Sequence, residues 1–114
     1  MSKSLNVLTN GPCCAPLATQ PLDRDSADQM AAVFKALADP VRLQLLGLIL
    51  DSADHEACVC DLGAAFTLSQ PTISHHLKVL HTAGLIERDK RGVWVHYRAS
   101  QGGLRAVAEF LQPR

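Results

Sequence analysis

With 114 residues the chain is long enough for one domain but marginal for a deep core of its own. Eleven basic and eleven acidic side chains leave it formally neutral, and 47% hydrophobic residues with few aromatics point to an aliphatic, helical interior. No run approaches the ~20 apolar residues of a membrane span, and Met1 to Asn10 lacks the basic-then-apolar pattern of a secretory signal. The expected setting is therefore the cytoplasm, where four cysteines serve metal or redox chemistry rather than structural disulfides.

Residues 1–22 hold Gly11, Pro12, Pro16 and Pro21 without a sustained helical period, and read as a flexible arm carrying the adjacent Cys13 and Cys14. Residues 23–114 read as the folded domain. Asp25 or Ser26 is the expected cap of a first helix reaching about Ala38, with Met30, Val33, Phe34 and Leu37 on one face. Asp39 and Pro40 suit the cap and first position of a second helix, about residues 41–50, burying Val41, Leu45, Leu48 and Ile49. Residues 51–56 read as a polar loop, and residues 58–66 as a short third helix in spite of Gly63.

The most informative stretch follows. Ser69 can cap a fourth helix, Pro71 is tolerated in its first turn, and Gly84 suits its C-terminal end. Ile73, Leu77 and Leu80 recur at i, i+4 and i+7 and predict a buried stripe. Gln70, Thr72, Ser74, His75 and Lys78 fall on the opposite face. A helix buried on one side and lined with short donors and acceptors on the other suits the major groove of DNA. Residues 85–88 and 93–98 then read as two strands joined by the charged turn Asp89-Lys90-Arg91-Gly92. In the second strand Val93, Val95 and Tyr97 alternate with Trp94, His96 and Arg98. A last helix carries Leu104, Val107, Ala108 and Leu111 at helical spacing after Gly102-Gly103. With the first helix it forms a candidate dimer surface. The pattern is mainly α with a small β-hairpin, a winged helix-turn-helix in the order α-α-α-α-β-β-α.

The charge distribution agrees with a DNA-reading second half. Residues 1–67 carry four basic and eight acidic side chains, a balance of −4, whereas residues 68–114 carry seven and three, a balance of +4. The positive half contains the candidate reading helix and wing, as phosphate contact requires.

The run SQPTISHHLKVLHTAGLIERDKRGVWVHYR, residues 69–98, resembles the recognition helix and wing of the ArsR/SmtB family of bacterial metal-responsive repressors. FKALADPVR, residues 34–42, resembles that family's opening segment, and the resemblance spans roughly residues 27–111. It implies a homodimeric repressor that binds double-stranded operator DNA when free of metal. Two reading helices would enter successive major grooves about one helical turn apart. Gln70, Thr72, Ser74 and His75 would touch bases or phosphates, Pro71 would pack on a sugar or base edge, and Lys78, Lys90 and Arg91 would meet phosphates or the minor groove.

Cys58-Val59-Cys60-Asp61-Leu62 resembles the family's Cys-Val-Cys metal motif. Arsenite sensors of one branch carry a third cysteine two residues past the Asp, where this chain has Gly63. Further thiolates must then come from Cys13 and Cys14. Residues at i and i+2 of a regular helix diverge, so either Cys58 lies in an irregular first turn or only one of Cys58 and Cys60 is a ligand. Three thiolates, from Cys13, Cys14 and one of Cys58 or Cys60, suit As(III) or Sb(III), the favoured reading, and all four suit Cd(II), Pb(II) or Zn(II). The alternative to a metal site is a pair of small core cysteines, or a thiol redox sensor. The histidines His55, His75, His76, His81 and His96 read as structural or DNA-facing, because residues 100–114 lack the Asp and His ligands of the family's zinc sensors. A small thiol oxidoreductase, the competing enzyme class, is disfavoured: no Cys-x-x-Cys and no phosphate-cradling loop is present.

Overall fold

The computed structural model describes residues 22–113, so Cys13 and Cys14 lie outside the described residues. Among these residues the elements are α1 (Arg24–Leu37), α2 (Pro40–Asp51), β1 (Glu56–Cys58), α3 (Val59–Ala64), α4 (Gln70–Thr82), β2 (Ile86–Arg91), β3 (Trp94–Ala99) and α5 (Gln101–Leu111). The strands form one antiparallel sheet in the order β1-β3-β2. The winged helix-turn-helix plan holds, with a third strand added to the hairpin.

Helix starts follow local capping chemistry. Asp23, rather than Asp25 or Ser26, caps α1: its Oδ1 accepts the Ser26 amide at 2.7 Å. Asp25 then sits in the first turn, where a carboxylate favours the helix dipole. Asp39 caps α2 as expected, Oδ1 accepting the Val41 and Arg42 amides at 2.9 and 3.1 Å, with Pro40 at the first position. The amide hydrogen bond from Arg42 is the main reason the Asp39 carboxyl titrates below its ordinary range. Ser69 Oγ accepts the Thr72 amide at 3.3 Å, and Pro71 lies in the first turn of α4. At the far end Gly84 adopts φ +82°, and the Leu85 amide reaches back to the Leu80 carbonyl at 3.1 Å, the pattern that ends a helix on a left-handed residue.

The core gathers the apolar faces of these elements. Leu45 and Ile49 of α2, Leu62 of α3, Ile73, Leu77 and Leu80 of α4, and Leu85, Ile86, Tyr97 and Ala99 around the sheet are all buried. Each large aliphatic side chain among them contributes roughly 1.5–3 kcal/mol of burial free energy. Helix α2 departs from the expected stripe. Leu46 is buried, Val41 is only half-buried and Leu48 is 38% exposed. The helix packs against α1, α4 and β3 together, which turns its buried face toward Leu46.

The wing also differs from the expected four-residue turn. Strand pairing continues through Asp89↔His96, Lys90↔Val95 and Arg91↔Trp94, so the turn is only Gly92-Val93. Gly92 takes φ +64°, a conformation a two-residue turn demands and glycine supplies without strain. Lys90 and Arg91 are thus strand residues at the tip rather than turn residues.

Helix α5 begins at Gln101, and Gly102 and Gly103 lie inside it, capped by Ser100 Oγ on the Gly103 amide at 3.2 Å. Gly103 is required by packing: a Cβ there would lie 2.0 Å from the Gly84 carbonyl oxygen. The helix buries no residue completely. Leu104 and Val107 are half-buried, Ala108 and Leu111 are exposed, and the Phe110 ring lies 6.0 Å from that of Phe34 on α1.

Candidate DNA-reading face and thiol site

Helices α3 and α4, joined across residues 65–69, form a helix-turn-helix whose second member presents the expected reading face. Gln70, Pro71, Thr72, Ser74, His75 and Lys78 are all exposed, as are Lys90 and Arg91 on the wing. Burial of Ile73, Leu77 and Leu80 behind them fixes which side of α4 faces out. The candidate reading residues therefore occupy one solvent-facing surface, rich in donors and acceptors.

Arg91 is not a lone cation. Its Nε donates to Asp89 Oδ2 at 2.8 Å and its Nη2 to Glu56 Oε2 across the sheet. These carboxylates, Glu56 foremost, hold the guanidinium pKa above its ordinary value. Arg98, directly opposite Glu56 in the strand register, instead donates to Glu87 at 3.1 Å.

Sequence reasoning missed the role of Arg42. Its Nε donates to the Ala36 carbonyl at 2.6 Å and its Nη2 to the Lys35 carbonyl at 3.3 Å, satisfying the C-terminal end of α1. Its Nη1 lies 3.2 Å from His76 Nδ1, so the ring nitrogen accepts and His76 turns inward from the reading face. One side chain thus ties α1, α2 and α4 together. The signal in the sequence was the Asp39-Pro40 helix start, which places residue 42 against the preceding helix end. Lys35, Arg42, His75 and Lys78 also border a groove of about 450 Å³ between α1 and α4, floored by Ala32, Ala36, Val79 and Ala83.

Cys58 and Cys60 come together, whereas on a regular helix they would diverge. Cys58 is the last residue of β1 and the N-cap of α3, with φ −75° and ψ 145°, and only Cys60 is helical. This change from extended to helical backbone lets residues at i and i+2 face the same side, and the two sulfurs lie 2.8 Å apart as free thiols. The irregular-start alternative is the one adopted. Cys58 is half-buried and Cys60 exposed, so both sit at the surface. Hydrogen bonding with Cys58, aided by desolvation, raises the Cys60 thiol pKa. The pair suits a thiophilic ion in donor chemistry, and the two sulfurs are near enough for one ion to reach both once they part slightly, but it supplies two thiolates only.

Among the described residues no group of three His, Cys, Asp or Glu side chains is placed to hold a metal ion. His55 Nδ1 bonds the Leu50 carbonyl at 2.8 Å, in a turn where Asp54 and His55 both take left-handed φ values of 58° and 55°. At Gly63, where arsenite sensors of one branch carry cysteine, a Cβ would meet Gln70 Oε1 at 3.3 Å, so this position abuts the first residue of α4.

Comparison with known proteins bears on the same segment. A family model described as "Bacterial regulatory protein, arsR family" matches residues 39–88, from the α2 cap through the first half of the wing. A transcriptional repressor SmtB homolog of Synechocystis sp. is 40% identical over 92 residues, covering 77% of this chain and 67% of the relative. The arsenical resistance operon repressor of Escherichia coli K12 is 48% identical over 68 residues, 60% of this chain and 56% of the relative. Among solved structures, a homodimeric winged helix-turn-helix DNA-binding domain from Mycobacterium bovis superposes with a TM-score of 0.64 at 33% identity, covering 84% of this chain and 87% of that one. No helix among the described residues is long and apolar enough to cross a membrane.

Proposed function

Because the chain belongs to the arsR family of bacterial regulatory proteins, DNA-binding transcriptional repressors rather than enzymes, we propose that it is a homodimeric repressor released from its operator by a thiophilic ion, As(III) or Sb(III), held by Cys58 and Cys60. The observation that carries this reading is the 2.8 Å approach of the two sulfurs at the β1–α3 joint. One ligand belongs to the wing sheet and the other to the first helix of the helix-turn-helix. A bound ion would be the soft acceptor cross-linking these thiolates, and the protein's part is to hold the two donor sulfurs on opposite sides of a joint that positions α4. A third thiolate from Cys13 or Cys14 would complete a three-sulfur set. All four cysteines would instead suit Cd(II), Pb(II) or Zn(II), and the names of the relatives support a metal or metalloid effector without choosing one.

On DNA the ion-free dimer would place two copies of α4 in successive major grooves, about one helical turn apart. Gln70, Thr72, Ser74 and His75 would read base edges, and Lys78 and Lys90 would meet phosphates. Helices α1 and α5 would pair with those of a second copy, because α5 buries none of its residues completely within one chain.

The test is fluorescence anisotropy of a promoter fragment titrated with the protein, with and without arsenite, antimonite, cadmium, lead and zinc. Arsenite is expected to weaken binding by roughly 5–150-fold, the usual range of allosteric coupling. Cys58→Ser and Cys60→Ser should each bind DNA and lose that response. Unchanged affinity with arsenite and antimonite would refute the metalloid reading, and release by cadmium or lead alone would favour the four-sulfur site.

A further inference from the structure

The thiol pair and the wing tip are joined by a side-chain link as well as by backbone. Strand β1 is three residues long and laddered to β3 through Glu56↔Arg98, Ala57↔Tyr97 and Cys58↔His96. Glu56 and Cys58 are alternate residues of this strand and lean toward the same face of the sheet. Each end of β1 is committed to a different partner. Cys58 meets Cys60 of α3, whereas Glu56 accepts from Arg91 at the end of β2, past the nearer Arg98, which pairs with Glu87. The Glu56 side chain is only 17% exposed against 47% for Arg91, so the carboxylate is the more buried of the two, and Arg91 reaches it through Nη2 while its Nε stays on Asp89.

We propose that Glu56 is a positioning residue that transmits the state of the Cys58–Cys60 pair to the wing through Arg91. This rests on the thiol pair being the effector site. A ligand shared by Cys58 and Cys60 must part the two sulfurs, and the displacement of Cys58 shifts a strand too short to absorb the motion internally. Its other end then moves the carboxylate that holds the wing tip. Arg91 is the register partner of Trp94, the sole tryptophan of the chain, which is 57% exposed. The wing thus carries its own optical reporter.

The experiment needs no DNA and uses the full chain with Cys13→Ser and Cys14→Ser, so that Cys58 and Cys60 are the only thiols. The probe is phenylarsine oxide, which as its hydrate exchanges two As–O bonds for two As–S bonds. The thiol protons leave in water and arsenic stays trivalent. Thiol titration confirms loading, and iodide quenching of Trp94 reads the wing. Loading is expected to change the quenching constant in this parent protein. The change should be lost in Glu56→Gln and also in Arg91→Met, which breaks the link from the exposed side without touching β1. A parent whose thiols load while Trp94 quenching stays constant would overturn the proposal, as would either variant keeping the full change. Operator release by arsenite without a wing response would sink this link while leaving the sensor reading intact. A wing response without operator release would do the reverse.

Discussion

The sharpest structural prediction concerns two adjacent glycines that the sequence makes look equivalent. An alanine Cβ at Gly103 would lie 2.0 Å from the Gly84 carbonyl oxygen and 3.0 Å from its carbon, whereas one at Gly102 meets nothing within 4 Å. Comfortable contact needs about 3.5 Å, so Gly103→Ala must push the first turn of α5 away from the α4–β2 corner by about 1 Å or more. The obstacle is backbone, which has no rotamer to escape into. Overpacking of this kind costs about 1–3 kcal/mol, partly offset by the ~1 kcal/mol helix preference of Ala over Gly. Gly102→Ala collects that preference with no clash. Urea denaturation should therefore move the two midpoints in opposite directions, Gly103→Ala down and Gly102→Ala up. Because α5 is half of the proposed dimer surface, Gly103→Ala should also raise the protein concentration needed for operator binding. Equal stability of the two variants would refute the close approach at Gly84.

Other expectations follow from the same geometry. Arg42→Met removes the donors from the Lys35 and Ala36 carbonyls and from His76, and should cost about 1–3 kcal/mol in the same denaturation assay; a neutral result would deny the clamp. Since the folded state raises the Cys60 thiol pKa, chiefly through Cys58, iodoacetamide alkylation of Cys60 should have a pH midpoint above that of an ordinary thiol, and Cys58→Ala should lower it. By linkage the stabilising share of that raised pKa is complete below the unfolded thiol pKa and is lost as pH rises toward the folded value. Ion binding, which displaces the thiol protons, should correspondingly tighten as pH rises through that window. Lys78→Gln should weaken binding to operator and random DNA alike and flatten the slope of log K against log salt by about 0.9 for each phosphate it no longer neutralises.

What could be read from the sequence was set by how local each determinant is. The α4 stripe, its Ser69 cap, its Pro71 and its Gly84 end are fixed by residues within one turn of each other, and the structure has them all. The reading face follows at once, because burial of Ile73, Leu77 and Leu80 leaves Gln70, Thr72, Ser74, His75 and Lys78 nowhere else to point. Strand β1 was not legible: three residues carry no period, and they are extended only because β3 offers a ladder that lies some forty positions away in sequence. Missing that strand placed Cys58 at the start of a helix, where the two thiols could converge only through an irregular first turn. Leu48 and Leu46 exchanged roles for a related reason, since α2 is apolar nearly all round and its neighbours decide which side is inward. Arg91 looked like a free wing cation because its partner Glu56 is 35 positions away.

Helix α3 is where a small input has the greatest leverage. It has six residues, includes Gly63, buries only Leu62 and has no side-chain cap. Isolated helices much shorter than about 12–15 residues are marginal in water, so α3 holds its place by packing on α4 and the sheet rather than by its own propensity. Helix α4, by contrast, is capped, 13 residues long and anchored by three fully buried side chains. It moves as a rigid body or not at all. A ligand shared by Cys58 and Cys60 would add its bonds at the uncapped start of α3, in the element least able to resist them, and α3 is one of the helices on which α4 packs. Coupling of about 1–3 kcal/mol, the usual allosteric scale, is comparable to what α3 has holding it, and far less than the buried stripe of α4 would require. The chain therefore places its candidate sensor on the soft helix and its candidate reader on the stiff one.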